Sequence, residues 1–197
     1  MLTYNGLSTG VVDLAVPVMV AIPPAGRRAP CQVLLGETFA SLEANVRRSQ
    51  TAPLAAEGIL DVQHGARRLT PLLIRLMNLP AAGRAQSVRL DLTPIGDEVE
   101  WSRRIGSSVM RTRQRAAGSL LLEEHGIGRV AFALGVEDGA LLYRQVWMQV
   151  AGIPIPSFVR PRVSARVSPA ARGWRVEVTI TWRGDLVCGY AGVLRAV

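Results

Sequence analysis

Beyond Gly83 the chain alternates apolar and polar residues with a period of two. Trp174, Val176, Val178, Ile180 and Trp182 fall on one side of an extended backbone, with Arg175, Glu177, Thr179, Thr181 and Arg183 on the other. Val88, Leu90 and Leu92 oppose Arg89, Asp91 and Thr93 in the same way. Successive side chains of a strand point to opposite faces, so this alternation predicts strands with one apolar and one wet face. The predicted segments are 85–93, 98–105, 108–115, 120–125, 129–136, 141–150, 160–167, 174–182 and 186–195, with one more upstream at 55–63. Gly96-Asp97, Gly106-Ser107, Gly126-Ile127-Gly128, Glu137-Asp138-Gly139 and Gly184-Asp185 lie between them. Gly and Asp tolerate the positive φ of tight turns, so these read as hairpin connections.

The clearest strand and corner together occupy Leu141–Val163, where a long alternating run breaks at Gly152, Pro154 and Pro156 and resumes as a basic strand. Upstream the spacing is helical. Leu35, Phe39, Leu42 and Val46 predict one amphipathic helix over 33–48, running from acidic to basic residues along its dipole. Thr70 as a cap, Pro71 at the first helical position and Leu69, Leu72, Leu73 and Leu76 on one face predict a second helix over 70–79. Residues 1–30 read as a poorly structured arm that adds at most an edge strand. Val11–Ile22 contains Asp13 and Pro17 and lacks a basic leader, which argues against a signal peptide. Together these elements predict a mainly β (α+β) fold over 31–197. The expected form is an antiparallel meander of about nine to ten strands curled into a cup or barrel, lipocalin-like or fatty-acid-binding-protein-like, with helix as lid or filling.

A chain of 197 residues, 49% hydrophobic and 19% charged, is long enough for one real core. It contains no apolar run near the roughly 20 residues that span a bilayer as a helix. The net charge of +8 suggests nucleic acid or an anionic surface. All 23 basic residues are arginine, however, and they are scattered through an Ala-, Val- and Gly-rich chain, which fits the codon bias of a GC-rich genome. Aromatic residues are too few, and too little interleaved with basic patches, for a nucleic-acid platform. Cys31 and Cys188 are far apart, and with His64 and His125 they form no metal-ligand spacing. Buried thiols in a reducing cytoplasm are expected, with no metal and no cofactor.

The run WSRRIG at Trp101–Gly106, the acidic pair before Gly126, the EDGALLYR turn and strand, and the GIPIPSFVRPRV corner together resemble a bacterial family, domain of unknown function 4166. The leucine-rich helix running into NLPAAG resembles it as well, and the likeness extends from about Leu34 to the C-terminus. The resemblance implies a domain boundary and no catalytic residue. Relatives joined to Rossmann-type NAD(P)-binding domains imply an accessory or ligand-holding role beside an oxidoreductase. This chain has no GxGxxG after a strand, so such an oxidoreductase would be a separate partner protein.

Three groups of residues carry candidate chemistry. Glu123 and His125 share one side of a strand and could form an acid/base pair; a solvated strand end at a Gly turn fits them too. Arg111, Arg113 and Arg115, with Arg103 on the neighbouring arm, could hold an anion. The plainer alternative is a wet outer face on which Glu98, Glu100 or Asp91 pair with them. Tyr143, Gln145 and Trp147 alternate onto one face and could wall a pocket for a ligand with an apolar body and a polar end, or belong to an ordinary core strand. Two functions follow from these groups. One is non-catalytic binding of a small amphipathic or anionic, lipid-like ligand. The other is an enzyme or oxidoreductase accessory using Glu123 and His125.

Overall fold

The computed structural model describes residues 28–197, so the arm expected over 1–30 lies outside the described residues apart from Arg28, Ala29 and Pro30. The strands are β1 (Leu54–His64), β2 (Gly83–Ile95), β3 (Glu98–Ile105), β4 (Ser108–Ala117), β5 (Leu120–His125) and β6 (Gly128–Glu137). They continue as β7 (Ala140–Val150), β8 (Ile153–Pro154), β9 (Arg162–Ala170), β10 (Gly173–Trp182) and β11 (Asp185–Ala196). Each long strand pairs antiparallel with its neighbour in sequence, β7 passes over the short β8 to β9, and β11 returns to β1. The ten long strands therefore close into an up-and-down barrel, and β8 is an extra two-residue ribbon on the end of β7. Every predicted strand is present, within a few residues at its ends.

Alternation sets the inside and the outside. On β10, Trp174 and Ile180 are buried while Arg175 and Thr179 are exposed. On β4, Met110, Thr112 and Gln114 are buried, and Arg111 and Arg113 point to solvent. A barrel of about eight strands is just filled by its own side chains, and its diameter grows with strand number. Ten strands therefore leave interior space.

One helix over 33–48 was expected, but the segment is broken into α1 (Pro30–Leu35), a 3₁₀ turn (Gly36–Ser41) and α2 (Ala44–Ser49). Gly36 ends α1 at φ 53, Leu42 is extended, and the Glu43 carboxylate caps α2 by accepting from the Asn45 amide at 2.7 Å. The breaks let the segment fold across one end of the barrel, where Cys31, Leu42 and Val46 are buried in the core. The Glu43 amide donates to the Gly139 carbonyl in the β6–β7 turn at 3.0 Å, which ties this plug to the rim. The second helix, α3 (Thr70–Leu76), lies in the β1–β2 connection at the opposite end. Its expected Thr70 cap does not form: Leu69 takes the capping position and no side chain caps it. Leu73, Ile74 and Met77 pack toward the core, while Leu69, Leu72 and Leu76 of the predicted apolar face are exposed.

The β1–β11 seam closes the sheet and depends on glycine. A Cβ on Gly58 would collide with the Val193 carbonyl, and one on Gly192 with the Ile59 carbonyl. Alanine is ordinarily preferred to glycine in a strand by roughly 0.5–1 kcal/mol. At this seam the sign reverses: Gly192→Ala is expected to lower stability by about 1–3 kcal/mol, as overpacking does. Urea unfolding checks this, and an unchanged midpoint would show that the strands separate without cost.

Candidate functional site

The barrel encloses a cavity of about 710 Å³. The plug of α1 and α2 closes one end; α3, the β5–β6 turn and the β7–β9 connection ring the other. The walls are mostly apolar, with Leu90, Met110, Phe132, Val178 and Ile180 among them. Most of the polar side chains gather at two points.

At the closed end, Tyr143 donates to the Gln50 side-chain oxygen at 2.7 Å, and the Cys31 thiol donates to the same oxygen at 3.4 Å. Gln50 donates in turn to the Ser49 hydroxyl at 2.9 Å, which donates to the Val46 carbonyl at 2.7 Å. This chain satisfies the buried polar groups where the plug meets the barrel. Burial pushes the Cys31 thiol up to about 12 and raises Tyr143 well above the usual tyrosine value, so both stay protonated. Cys31 is therefore a packed thiol rather than a nucleophile.

Midway along the wall, Arg103 on β3 faces inward with its guanidinium carbon 4.9 Å from the Trp101 ring centroid. It donates to the Thr112 hydroxyl at 3.0 Å and, through two nitrogens at 3.4 Å each, to one carboxylate oxygen of Glu123. Gln114 donates to the other Glu123 oxygen at 2.9 Å. The Arg103 and Glu123 side chains are only 17% and 20% exposed, so the two charges compensate each other where water is scarce. His125 lies two residues farther along β5, on the same inward face. Burial lowers its pKa, the Arg103 charge adds to this and Glu123 opposes it, so the ring is neutral at pH 7. Across the cavity Tyr190 on β11 has its pKa raised to about 12, mainly by burial, and its hydroxyl makes no hydrogen bond among the described residues.

The structure brings Arg103, Glu123, His125 and Tyr143 into one cavity and sends the other expected residues elsewhere. Arg111 and Arg113 lie on the outer face of β4, opposite in orientation to Arg103, so the expected anion cluster does not assemble. Arg113 pairs with Glu100 at 3.5 Å and Arg115 with Glu98 at 3.8 Å, the cross-strand arrangement of a wet face. Gln145 and Trp147 do not line the cavity with Tyr143. The register of β6 with β7 shifts between Phe132↔Gln145 and Ala131↔Trp147, and this one-residue bulge at Val146 turns Trp147 outward and Met148 inward. The Gln145 side-chain oxygen accepts from the Val163 amide at 2.8 Å, where the β7–β9 ladder has ended. Thr112, Gln114 and Tyr190 were not anticipated. Thr112 and Gln114 alternate with Arg111, Arg113 and Arg115, so an outward arginine face already implied an inward Thr-Gln face.

These features define a closed antiparallel β-barrel with an internal cavity plugged at one end. The chain belongs to the family described as Domain of unknown function (DUF4166), whose profile matches residues 45–194. The match takes in nearly the whole barrel and bears out the resemblance carried by the Trp101–Gly106 hairpin and the Gly152–Val163 corner. No curated protein matches the chain. Among the described residues no group of His, Cys, Asp and Glu could hold a metal ion, and no helix is long and apolar enough to cross a membrane.

Two outcomes are expected of the polar cluster. Glu123→Ala leaves Arg103 without its counter-charge and should cost about 3 kcal/mol in urea unfolding, whereas the double substitution Arg103→Met with Glu123→Leu should recover most of that loss. Equal losses in the two proteins would show that water already solvates the pair. For His125, burial lowers the folded pKa below its ordinary 6.5, so the unfolded chain takes up the proton first. Its contribution to stability is complete above that value and is lost as pH falls toward the lowered one. Between pH 7.5 and 5, His125→Gln should therefore lose less stability than the unaltered chain, and an identical pH slope would place the ring in solvent.

Proposed function

We propose that the barrel binds, without transforming it, one small amphipathic molecule with an apolar body and an uncharged polar end. The observation that carries this reading is the cavity itself. Its volume of about 710 Å³ lies within the roughly 300–1,000 Å³ of small-molecule sites, and its walls are apolar around a few convergent polar groups. Among the described lining residues the charges of Arg103 and Glu123 cancel, and His125 is neutral. An anionic head group would have to displace Glu123 from Arg103, or sit beside a carboxylate in a poorly hydrated space. A hydroxyl or carbonyl carries no such cost, and Tyr190 and His125 have hydrogen-bonding capacity to meet it.

The geometry favours binding over acid/base chemistry, because both Glu123 oxygens already accept from Arg103 and Gln114. A carboxylate held in this way is a poor general base for a substrate proton.

Native mass spectrometry of the protein purified from its own host, followed by extraction and identification of any small molecule, tests the proposal. One equivalent of an uncharged amphipathic compound is expected. Ala165→Trp, which projects from the wall into the cavity, should abolish its retention. Tyr190→Phe should weaken rebinding by roughly two- to tenfold, the worth of one hydrogen bond. A bare mass, together with no uptake of apolar fluorescent probes, would sink the reading.

A further inference from the structure

Five of the six most exposed large apolar side chains gather at the cavity mouth. Leu72 and Leu76 on α3 are 62% and 67% exposed, Ile127 in the β5–β6 turn 69%, and Ile153 and Phe158 in the β7–β9 connection 67% and 76%. They come from three separate segments, which meet only because Leu76, Ile127 and the neighbours of Ile153 and Phe158 line one opening. Elsewhere such residues lie singly or in pairs, as Ile59 does beside its cross-strand neighbour Val193 on the outer wall. An apolar patch that encircles an opening marks an interaction surface rather than incidental exposure.

The charge around this rim is one-sided. Arg68, Arg75, Arg104, Arg162 and Arg183 are exposed at or beside the mouth and form no ion pair among the described residues. The acidic residues near them are fewer and already engaged: Asp185 binds Arg67 at 2.8 Å, Glu124 binds Arg129 at 2.8 Å, and Asp61 accepts from the Ala85 amide at 2.7 Å. At the plugged end Glu37, Glu43, Glu98, Glu137 and Asp138 are mixed with the arginines. Apolar side chains surrounded by unpaired cations match an anionic bilayer, where the first enter the headgroup boundary and the second meet lipid phosphates.

We propose that the mouth of the barrel is a docking surface for an anionic lipid membrane. Docking there turns the cavity opening toward the bilayer, a reservoir of apolar molecules. That consequence rests on the binding function proposed above, whereas the docking itself does not.

Co-sedimentation of the full chain with vesicles of phosphatidylglycerol, against vesicles of phosphatidylcholine alone, tests the proposal. Binding to the anionic vesicles is expected, falling steeply with added salt. Phe158→Ser with Ile153→Ser, neither of which lines the cavity, should reduce it about tenfold at low salt. Arg75→Gln should reduce it about fivefold, and Ile59→Ser, equally apolar but on the barrel wall, should leave it unchanged. Uptake of an apolar fluorescent probe, measured on the same variants, separates the two proposals: retained uptake with lost vesicle binding supports docking by the rim. No binding to anionic vesicles, or binding that survives the rim substitutions, would overturn the docking surface. Self-association abolished by those same substitutions would do so as well, assigning the rim to a second copy of the chain.

Discussion

Closure of the sheet is the constraint on which the rest of this structure depends. Ten antiparallel strands pair without an edge, so none of the ten is left as a template for another chain. The last strand meets the first at a seam where Gly58 and Gly192 let the backbones approach within the space a methyl group would need. The same closure sets the diameter, and at ten strands the inward side chains no longer meet across the middle. The cavity is thus a consequence of strand number rather than of any one residue.

What the cavity can hold follows from how it is finished. The broken helical segment closes one end through Leu42, Val46 and the Tyr143–Gln50 hydrogen bond, which among the described residues leaves the opposite end as the way in. Inside, the Arg103–Glu123 pair with Thr112 and Gln114 is a neutral polar island on an apolar wall. Such a pair contributes little net stability, because removing its charges from water offsets their attraction. Its effect is on selectivity: it disfavours a second charge beside it while leaving donors and acceptors in place. At the other end, the leucines of α3 that a plug would have buried remain open to solvent, so the two ends of the barrel differ in chemistry as well as in shape.

Much of this was legible in the residue pattern, for a definite reason. Alternation, as in Trp174–Trp182, reports which side of a strand meets water, and it does so locally, so strand positions, hairpins and a curled antiparallel sheet were all readable. Glu123 and His125 were correctly placed on one face by the same rule. The rule failed at Val146, where one extra residue exchanges the faces of β7, and Trp147 left the face of Tyr143. It also failed over 33–48, where apolar spacing of 3.6 residues could not register that Gly36 and Leu42 interrupt the hydrogen-bonded turns.

The sequence by itself determined the strands, their two faces and the family, because periodicity and turn chemistry act between residues a few positions apart. Only the tertiary structure decided that the sheet closes, that Arg103 turns away from Arg111 and Arg113 to meet Glu123, and that Tyr190 faces them across a void. Those relations join residues from 20 positions apart, as Arg103 and Glu123, to 140, as Ala56 and Ala196, and the energy of the polar ones depends on the absence of water between them. That absence exists only once the barrel has formed.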